Sequence, residues 1–444
     1  MPAMIPPCRP PHRSLLPSTL AVLLATISSM AVAQSYHRPI LIENQPPQDP
    51  RDPSGEDQPG VMTRAYPEFS PPGMTLGGFT LTPRLMTDIG YSDNIYARPR
   101  NSQASAIGVL TPEAELQSNW SRHLLQAAVS AEAKRYASEK SENVENYRVS
   151  LGGGLDIATG SVLTGAVKRQ RFHDLRGDPE NEVRTREPTP FDLTAGNIAF
   201  QQQLGDLSFR LEGSGSSYEF QSGTGVNGRT IDGADRSYAT LGGLGRVSYA
   251  LSPDFSVFGE GGWQNRTYDR PRGNGLSSRN STGPTVNSGF SFALGGLWSG
   301  EVAVGYAERD IDDAKFGSVS AMTARASLLW NVTRATSLRG QAVRAVGETA
   351  VGPSVAYIGT TYWFGIEHQL QSDLLLGANV STRTLDYVHS PDQTDILSVG
   401  ARATWFINRN FRAQAEYNFS RRDGTLPDSN FDRNIGVLRF VSSF

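Results

Sequence analysis

The stretch FRAQAEYNFS, residues 411–420, alternates strictly between apolar and polar side chains. Tyr417 and Phe419 share one face with a phenylalanine and two alanines, and arginine, glutamine, glutamate, asparagine and serine occupy the other face. Successive side chains of a β-strand point to opposite sides, so this pattern predicts a strand with one apolar and one polar face. Residues 207–212 and 397–405 repeat it.

The connections between these strands alternate in length, which distinguishes one class of β protein. Short turns, for example at Gly205-Asp206 and Ser299-Gly300, alternate with long polar loops such as residues 176–190 and 221–235. This alternation is typical of outer-membrane barrels, in which short periplasmic turns alternate with long outer loops. We therefore predict an all-β transmembrane antiparallel up-and-down β-barrel of about 18 strands, within a range of 16 to 18, over residues 78–444. The alternative is a soluble all-β protein that buries its apolar faces between two sheets.

The first 33 residues have the three parts of a signal peptide. Basic residues precede an apolar stretch at 15–28, and small residues precede a cleavage site between Ala33 and Gln34. The sequence therefore predicts export, with the bacterial outer membrane as the destination of a barrel. The single cysteine, Cys8, lies in this peptide, so we expect the exported chain to contain no disulfide.

Residues 34–77 are rich in proline and poor in apolar residues, and they predict a largely disordered periplasmic segment ahead of the barrel. The whole chain has 45 glycines and a formal net charge of -3, with charges of both signs scattered along it. The absence of a basic block argues against a nucleic-acid partner. The sequence has no HExxH, CxxC or GxSxG motif, so we expect no catalytic site, no metal and no cofactor.

The segment VLRFVSSF, residues 437–444, predicts the strand that closes the barrel against its first strand. Alternation places Leu438, Phe440 and Phe444 on the lipid face. An aromatic residue at this position after alternating apolar residues resembles the signal that the barrel-assembly machinery recognises. Outer-membrane lipid and that machinery are therefore expected partners.

The polar face of the predicted strands carries charged residues that we expect to line the pore. Its arginines are Arg84, Arg246, Arg325, Arg339, Arg383, Arg402, Arg412 and Arg439, and its acids are Glu113, Glu115 and Glu132. One hypothesis is that an arginine-rich wall faces an acidic wall and produces a field across the pore. The alternative is that the charges pair with neighbours and stabilise the lumen.

Three aromatic residues also fall on the inward face, namely Phe258, Trp363 and Phe406. An inward ring can stack on a sugar, or it can pack against a plug or a loop inside the barrel. The sequence leaves both interpretations open.

Residues 64–99 contain three motifs: Arg64 and Tyr66-Pro67-Glu68-Phe69 ahead of Pro72-Gly73, the strand from Gly78-Phe79 to Pro83, and YSDNIY at 91–96. Together they resemble the entry segment of outer-membrane β-barrel porins found beside capsule and exopolysaccharide genes in proteobacteria. The resemblance implies a role in polysaccharide export or attachment, with polysaccharide or export components as partners. A general solute porin and a barrel enzyme that acts on polysaccharide are the alternatives.

Overall fold

The computed structural model describes residues 59–180, 185–271, 278–349, 354–425 and 429–444. The predicted signal peptide, its cleavage site between Ala33 and Gln34, and residues 34–58 of the predicted disordered segment lie outside the described residues. Within the described ranges, no helix is long and apolar enough to cross a membrane.

Long β-strands make up most of the described chain, and period-two alternation accounts for their formation. The strands are β1 (Met74–Leu76), β2 (Phe79–Ser92), β3 (Ser105–Ser118), β4 (Leu124–Tyr136), β5 (Val144–Ala158), β6 (Ser161–His173), β7 (Pro190–Leu204), β8 (Leu207–Phe220), β9 (Gly223–Thr224), β10 (Thr230–Ile231), β11 (Tyr238–Ser252), β12 (Phe255–Tyr268), β13 (Ser281–Leu294), β14 (Trp298–Ile311), β15 (Ser318–Thr333), β16 (Thr336–Glu348), β17 (Ala356–Gln371), β18 (Leu374–Tyr387), β19 (Gln393–Phe406), β20 (Phe411–Gly424) and β21 (Phe431–Ser443). Short 3-10 turns occur at Pro67–Phe69, Lys140–Glu142 and Gly233–Asp235.

Eighteen long strands form one closed antiparallel barrel. Each long strand pairs with the next along the chain, β8 pairs with β11 across the small β9–β10 hairpin, and β2 pairs with β21. The closing register runs from Arg84 opposite Ser443 to Ser92 opposite Ile435. The predicted fold class and strand number are confirmed, and the closure leaves no long strand without a second neighbour.

The turns at one end of the barrel are short and the loops at the other end are longer, as predicted. One predicted turn is wrong, because Ser299-Gly300 lies inside β14 opposite Leu329 and Leu328. The turn instead occupies residues 295–297, where Gly295 and Gly296 have φ values of +59° and +71°. Glycine adopts this left-handed conformation without steric cost, so the Gly-Gly pair determines where the chain reverses.

The barrel is apolar outside and polar inside. Leu241, Leu438 and Ile89 point outward and are 70%, 66% and 69% exposed. Phe440 and Phe444, the other residues of the predicted assembly signal, are also exposed on this surface. Charged residues such as Glu260 are buried on the inner face. This distribution is the reverse of that in a soluble protein and suits a barrel surrounded by lipid.

The strand β1 covers part of an edge that β21 does not reach. The pairing of β21 with β2 begins at Arg84, whereas β2 itself begins at Phe79. Residues 74–76 fold back and pair with residues 79–81 of β2. The start of β2 therefore has hydrogen-bonding neighbours on both sides.

The closing register can be tested with a disulfide across the seam. Met86 lies directly opposite Val441, so cysteines at both positions should form a disulfide in most of the folded molecules. A matched pair at Met86 and Ser442 should cross-link much less, because a shift of one residue turns the side chain to the other face. Chain mobility on non-reducing gels, with residues 1–33 and hence Cys8 removed, measures the yield. Equal cross-linking of both pairs would contradict the register.

Candidate functional site: the polar lumen

Four charged side chains form one ion-pair cluster on the inner wall. Arg325 on β15 lies 2.7 Å from Glu260 on β12 and 2.6 Å from Glu301 on β14. Arg246 on β11 lies 2.7 Å from Glu301 and 3.7 Å from Glu260. Both glutamates are almost completely buried. The cluster connects strands that are not neighbours in the sheet, and its two positive and two negative charges balance.

The inward Phe258 lies under this cluster. The guanidinium group of Arg246 sits 3.6 Å from its ring centroid, and that of Arg325 lies 5.5 Å away. Phe258 is 5% exposed, so its ring is covered by the two arginines. The ring therefore supports the arginines through cation–π contacts. This contact favours the interpretation that Phe258 packs inside the barrel over the interpretation that it stacks on a sugar.

A second group of charges surrounds the seam of the barrel. Arg84 lies 3.0 Å from Glu113 and 3.4 Å from Glu115, so these three predicted lumen residues come together. Arg439 donates to both oxygens of Asp88 at 2.8 and 2.7 Å. This pair fastens β21 to β2 across the seam.

Arg402, Arg412 and Glu132 complete the predicted lumen residues near this wall. Arg402 lies 2.7 Å from Glu416, whereas Glu132 accepts a hydrogen bond from Asn146 at 2.7 Å and contacts none of the predicted arginines through a described hydrogen bond or ion pair. Arg412 lies within electrostatic range of three other arginines, and its Nε has no hydrogen-bond partner among the described residues.

The remaining two predicted lumen residues lie elsewhere on the inner wall. Arg339 lies 3.1 Å from Glu367, and Arg383 lies 3.5 Å from the hydroxyl of Tyr357. Most of the predicted arginines thus have a carboxylate on a nearby strand. This arrangement favours the alternative in which the lumen charges pair with neighbours.

Sequence reasoning missed the acids that complete these pairs, among them Glu260, Glu301 and Glu367. Glu367 shares its face with Trp363, so strand alternation could have identified it. Glu301 was not assigned to the inner face, because the sequence predicts a turn at Ser299-Gly300, immediately before it. Once that turn is moved to residues 295–297, alternation places Glu301 inside the barrel.

Part of the predicted disordered segment lies along the inner wall near the short turns. The backbone amide of Val61 donates to Ser337 Oγ at 2.9 Å, and that of Met62 donates to Glu367 Oε2 at 2.8 Å. Further along, Phe69 stacks on the inward ring of Phe406, with centroids 5.1 Å apart and planes 11° apart.

Tyr66 packs on the same ring, with centroids 5.5 Å apart. Residues 60–69 therefore follow the wall from β16 to β19 and occupy space at this mouth of the lumen. Phe406 packs against this segment, which was one of the two interpretations left open by the sequence.

The loop after β6 folds into the other end of the barrel. Arg176 binds Glu142 at 2.7 Å, and Asp174 binds Arg236 at 2.6 Å. Gly177 has a φ of +85°, and a Cβ there would lie 2.7 Å from Ala97 Cβ and 2.8 Å from the ring of Phe431. A glycine is required for this close approach. Residues 174–180 are thus attached to the wall at several points.

This loop forms one side of a cavity of about 410 Å³ near the long loops. Its other sides come from the inner faces of five long strands, β8, β11, β12, β16 and β17, and from Arg383 on β18. A second cavity of about 390 Å³ shares Thr240 and Gln264 with it and continues toward Arg325. Both volumes lie within the range of about 300 to 1,000 Å³ that is typical of ligand sites.

Glu180, at the end of this described loop segment, has an unusual carboxyl group. Burial raises the pKa of Glu180 from 4.5 to about 7, and the nearby carboxylate of Asp178 acts in the same direction. A hydrogen bond with Thr349 and the charges of Arg383 and Arg266 act in the opposite direction. The carboxyl group of Glu180 therefore titrates near neutral pH.

The described residues contain no group of three or more His, Cys, Asp or Glu side chains that could hold a metal ion. The chemistry that the lumen offers is hydrogen bonding, paired charge and aromatic surface.

A family model described as "Putative beta-barrel porin 2" matches residues 66–443. Three solved structures are similar. The FrpB iron transporter from Neisseria meningitidis, F3-3 variant, is 11% identical over 79% of this chain and 63% of that chain, with a TM-score of 0.45. A BenF-like porin from Pseudomonas fluorescens Pf-5 is 10% identical over 82% of this chain and 99% of that chain, and Acinetobacter baumannii OccAB3 is 12% identical over 83% and 100%, each with a TM-score of 0.46. The chain therefore spans less than two thirds of the FrpB transporter. No curated protein matches the sequence.

The ion-pair cluster should contribute strongly to stability. Arg325→Ala would leave Glu260 and Glu301 short of a positive partner in a buried site, so we expect a loss of about 3–5 kcal/mol in the free energy of unfolding. The control is Arg421→Ala, because the Arg421–Asp432 pair is about half exposed and screened by solvent, so its loss should be much smaller than that of Arg325. Urea unfolding in detergent micelles measures both, and equal losses would contradict this role.

Opening of residues 174–180 should depend on pH through Glu180. In the closed loop the carboxyl group of Glu180 keeps its proton up to about pH 7, whereas in an opened loop it loses the proton near pH 4.5. The stability of the closed loop is therefore full below pH 4.5 and falls as the pH rises through 7. The opening constant should rise by up to about tenfold per pH unit in that window. Hydrogen exchange of these amides, corrected for intrinsic rates, measures it. Glu180→Gln should remove the dependence, and an unchanged slope in that variant would exclude Glu180 as its source.

Proposed function

Because the chain belongs to the beta-barrel porin 2 family, we propose that it is a channel for hydrophilic solutes across the outer membrane. The observation that carries the proposal is the polar inner face, where paired charges line the wall beside two cavities that share lining residues. A barrel of about 16 to 18 strands is wide enough to enclose an aqueous channel unless other parts of the chain fill it.

The finer proposal is that the solute is an exopolysaccharide, a capsular polysaccharide or their fragments. Its support is the resemblance carried by residues 64–99 together with a lumen that offers hydrogen-bonding groups and aromatic side chains. A polymer of sugar units requires both, since its hydroxyls need hydrogen-bond partners and its ring faces are partly apolar. The proposed role is transport, with no chemical change to the solute.

Residues 60–69 narrow the channel at the mouth that carries the short turns. Their contacts with Ser337, Glu367 and Phe406 hold them against the inner wall. In this proposal, displacement of the segment widens the passage for a larger solute.

Single-channel conductance of the refolded protein in a planar bilayer tests the channel. We expect a steady conductance, and a larger one when residues 34–72 are removed and β1 is kept. The double change Tyr66→Ala with Phe69→Ala, which removes the stacking on Phe406, should shift the conductance in the same direction. If neither the full chain nor the shortened chain conducts, passage through an open lumen is excluded.

The finer proposal is tested in cells. Deletion of the gene should abolish surface polysaccharide if the solute is a polymer. Loss of small-solute uptake with normal surface polysaccharide would instead identify a general porin. Turnover of polysaccharide by the purified protein would identify an enzyme.

A further inference from the structure

Arg412 differs from the three other arginines near the seam of the barrel, because it has no acidic partner. Arg84, Arg402 and Arg439 lie 3.0, 2.7 and 2.7 Å from a carboxylate oxygen. Among the described residues, none forms a hydrogen bond or an ion pair with Arg412, and its buried Nε atom has no acceptor. A partly buried charge without a partner is unfavourable for folding, so its presence points to a ligand that supplies the negative charge.

The strand register brings these four arginines, which we call the seam arginines, to one part of the inner wall. Arg412 lies opposite Val441 on β21, two residues from Arg439 on the same face. Such diagonal neighbours are about 7–8 Å apart, within reach of long side chains. Arg84 lies on the far side of β21, opposite Ser443. The seam arginines therefore come from four adjacent strands, β19, β20, β21 and β2.

The local field at Arg412 is positive. The charges of the other three seam arginines act on Arg412, and each acts more strongly than the carboxylate of Glu416. The charge of Arg412 is thus reinforced by its surroundings, and an anion beside it would be attracted by several guanidinium groups at once.

The other seam arginines are accessible from the lumen. The side chains of Arg84, Arg402 and Arg439 are 35%, 31% and 28% exposed. That of Arg325 in the ion-pair cluster is only 13% exposed. A guanidinium group has five N–H donors, so an arginine that binds one carboxylate retains donors for a second anion. A solute in the lumen can therefore reach the seam arginines more easily than the ion-pair cluster.

We propose that the seam arginines form a binding site for an oxyanion, the carboxylate or phosphate group of a solute. The planar guanidinium group of Arg412 donates two parallel hydrogen bonds to the anion, because its geometry matches both groups, and the other seam arginines supply further donors. This inference rests on the proposed channel function for the origin of the solute, and it adds the charge that the channel recognises at this mouth.

The site lies beside the segment that narrows the mouth. Phe406 is directly opposite Arg412 on β19, and Tyr66 and Phe69 pack on the ring of Phe406. A solute that passes this segment therefore meets the oxyanion site within one strand spacing of it.

Isothermal titration of the refolded full-length chain in detergent micelles tests the site without requiring conduction. The probes are pyrophosphate for phosphate groups and citrate for carboxylates, at an ionic strength held at about 0.1 M with sodium chloride. We expect at least one probe to bind with a Kd of about 1 mM or tighter, and the tighter probe identifies the preferred oxyanion. No saturable heat from either probe at about ten times that concentration overturns the proposal.

Two arginine variants of the same strand locate the site. Arg412→Gln removes the unpaired charge and should weaken binding of the probe by about tenfold or more. The matched control is Arg421→Gln, because Arg421 pairs with Asp432 on the outer face of β20 and should leave binding unchanged. Equal binding by Arg412→Gln and the wild type overturns the assignment.

Urea unfolding in detergent micelles separates a binding role of Arg412 from a structural one. Without a probe, Arg412→Gln should unfold at the same urea concentration as the wild type or at a higher one, because the substitution removes repulsion and breaks no ion pair. The probe should raise the unfolding midpoint of the wild type and leave that of the variant unchanged. A large loss of stability in the variant without a probe identifies a structural role and overturns the proposal.

The result is separable from the channel proposal. Binding of a probe at Arg412 without conductance would support the site and reject the channel. Conductance without binding of either probe would retain the channel and reject the site.

Discussion

Every strand in this barrel needs a hydrogen-bonding neighbour on each side, because lipid cannot satisfy a backbone amide or carbonyl. The pairing of β2 with β21 meets that requirement, and β1 extends it to residues 79–81. Closure of the sheet then determines which side chains lie outside the barrel and which lie inside. Since side chains alternate across a closed sheet, an apolar outer face leaves every second residue inside, where polar groups must find partners.

The ion pairs of the lumen form because the inward-facing charged groups must find partners inside the closed barrel. Arg246 and Arg325 share Glu260 and Glu301, and Arg439 binds Asp88 across the seam. Because positive and negative groups lie within a few ångströms of each other, their fields cancel over short distances. Such a wall presents hydrogen-bonding groups and aromatic surface to the lumen, with little uncompensated charge.

Alternation of the kind seen in residues 411–420 was sufficient to predict the strands and their two faces, because that period depends only on backbone geometry. The alternation of short turns with long loops predicted the barrel and its strand number. The partners of the predicted arginines were harder to predict. The Ser299-Gly300 pair has the composition of a turn, so Glu301 was not assigned to the inner face, although the chain reverses at Gly295-Gly296. The inward position of residues 174–180 was not predictable, because it depends on contacts with residues far away in sequence, such as Phe431, and no local pattern encodes those.

The attachment of the 174–180 loop also has a consequence for the order of assembly. Gly177 lies against Phe431, and the backbone carbonyl of Arg176 accepts from Arg433, both on β21, while Arg176 binds Glu142 between β4 and β5. The full set of contacts of residues 174–180 therefore forms only when β21 is in place beside β2. The shape of this mouth of the lumen depends in that way on closure of the seam, although the loop itself belongs to the connection between β6 and β7.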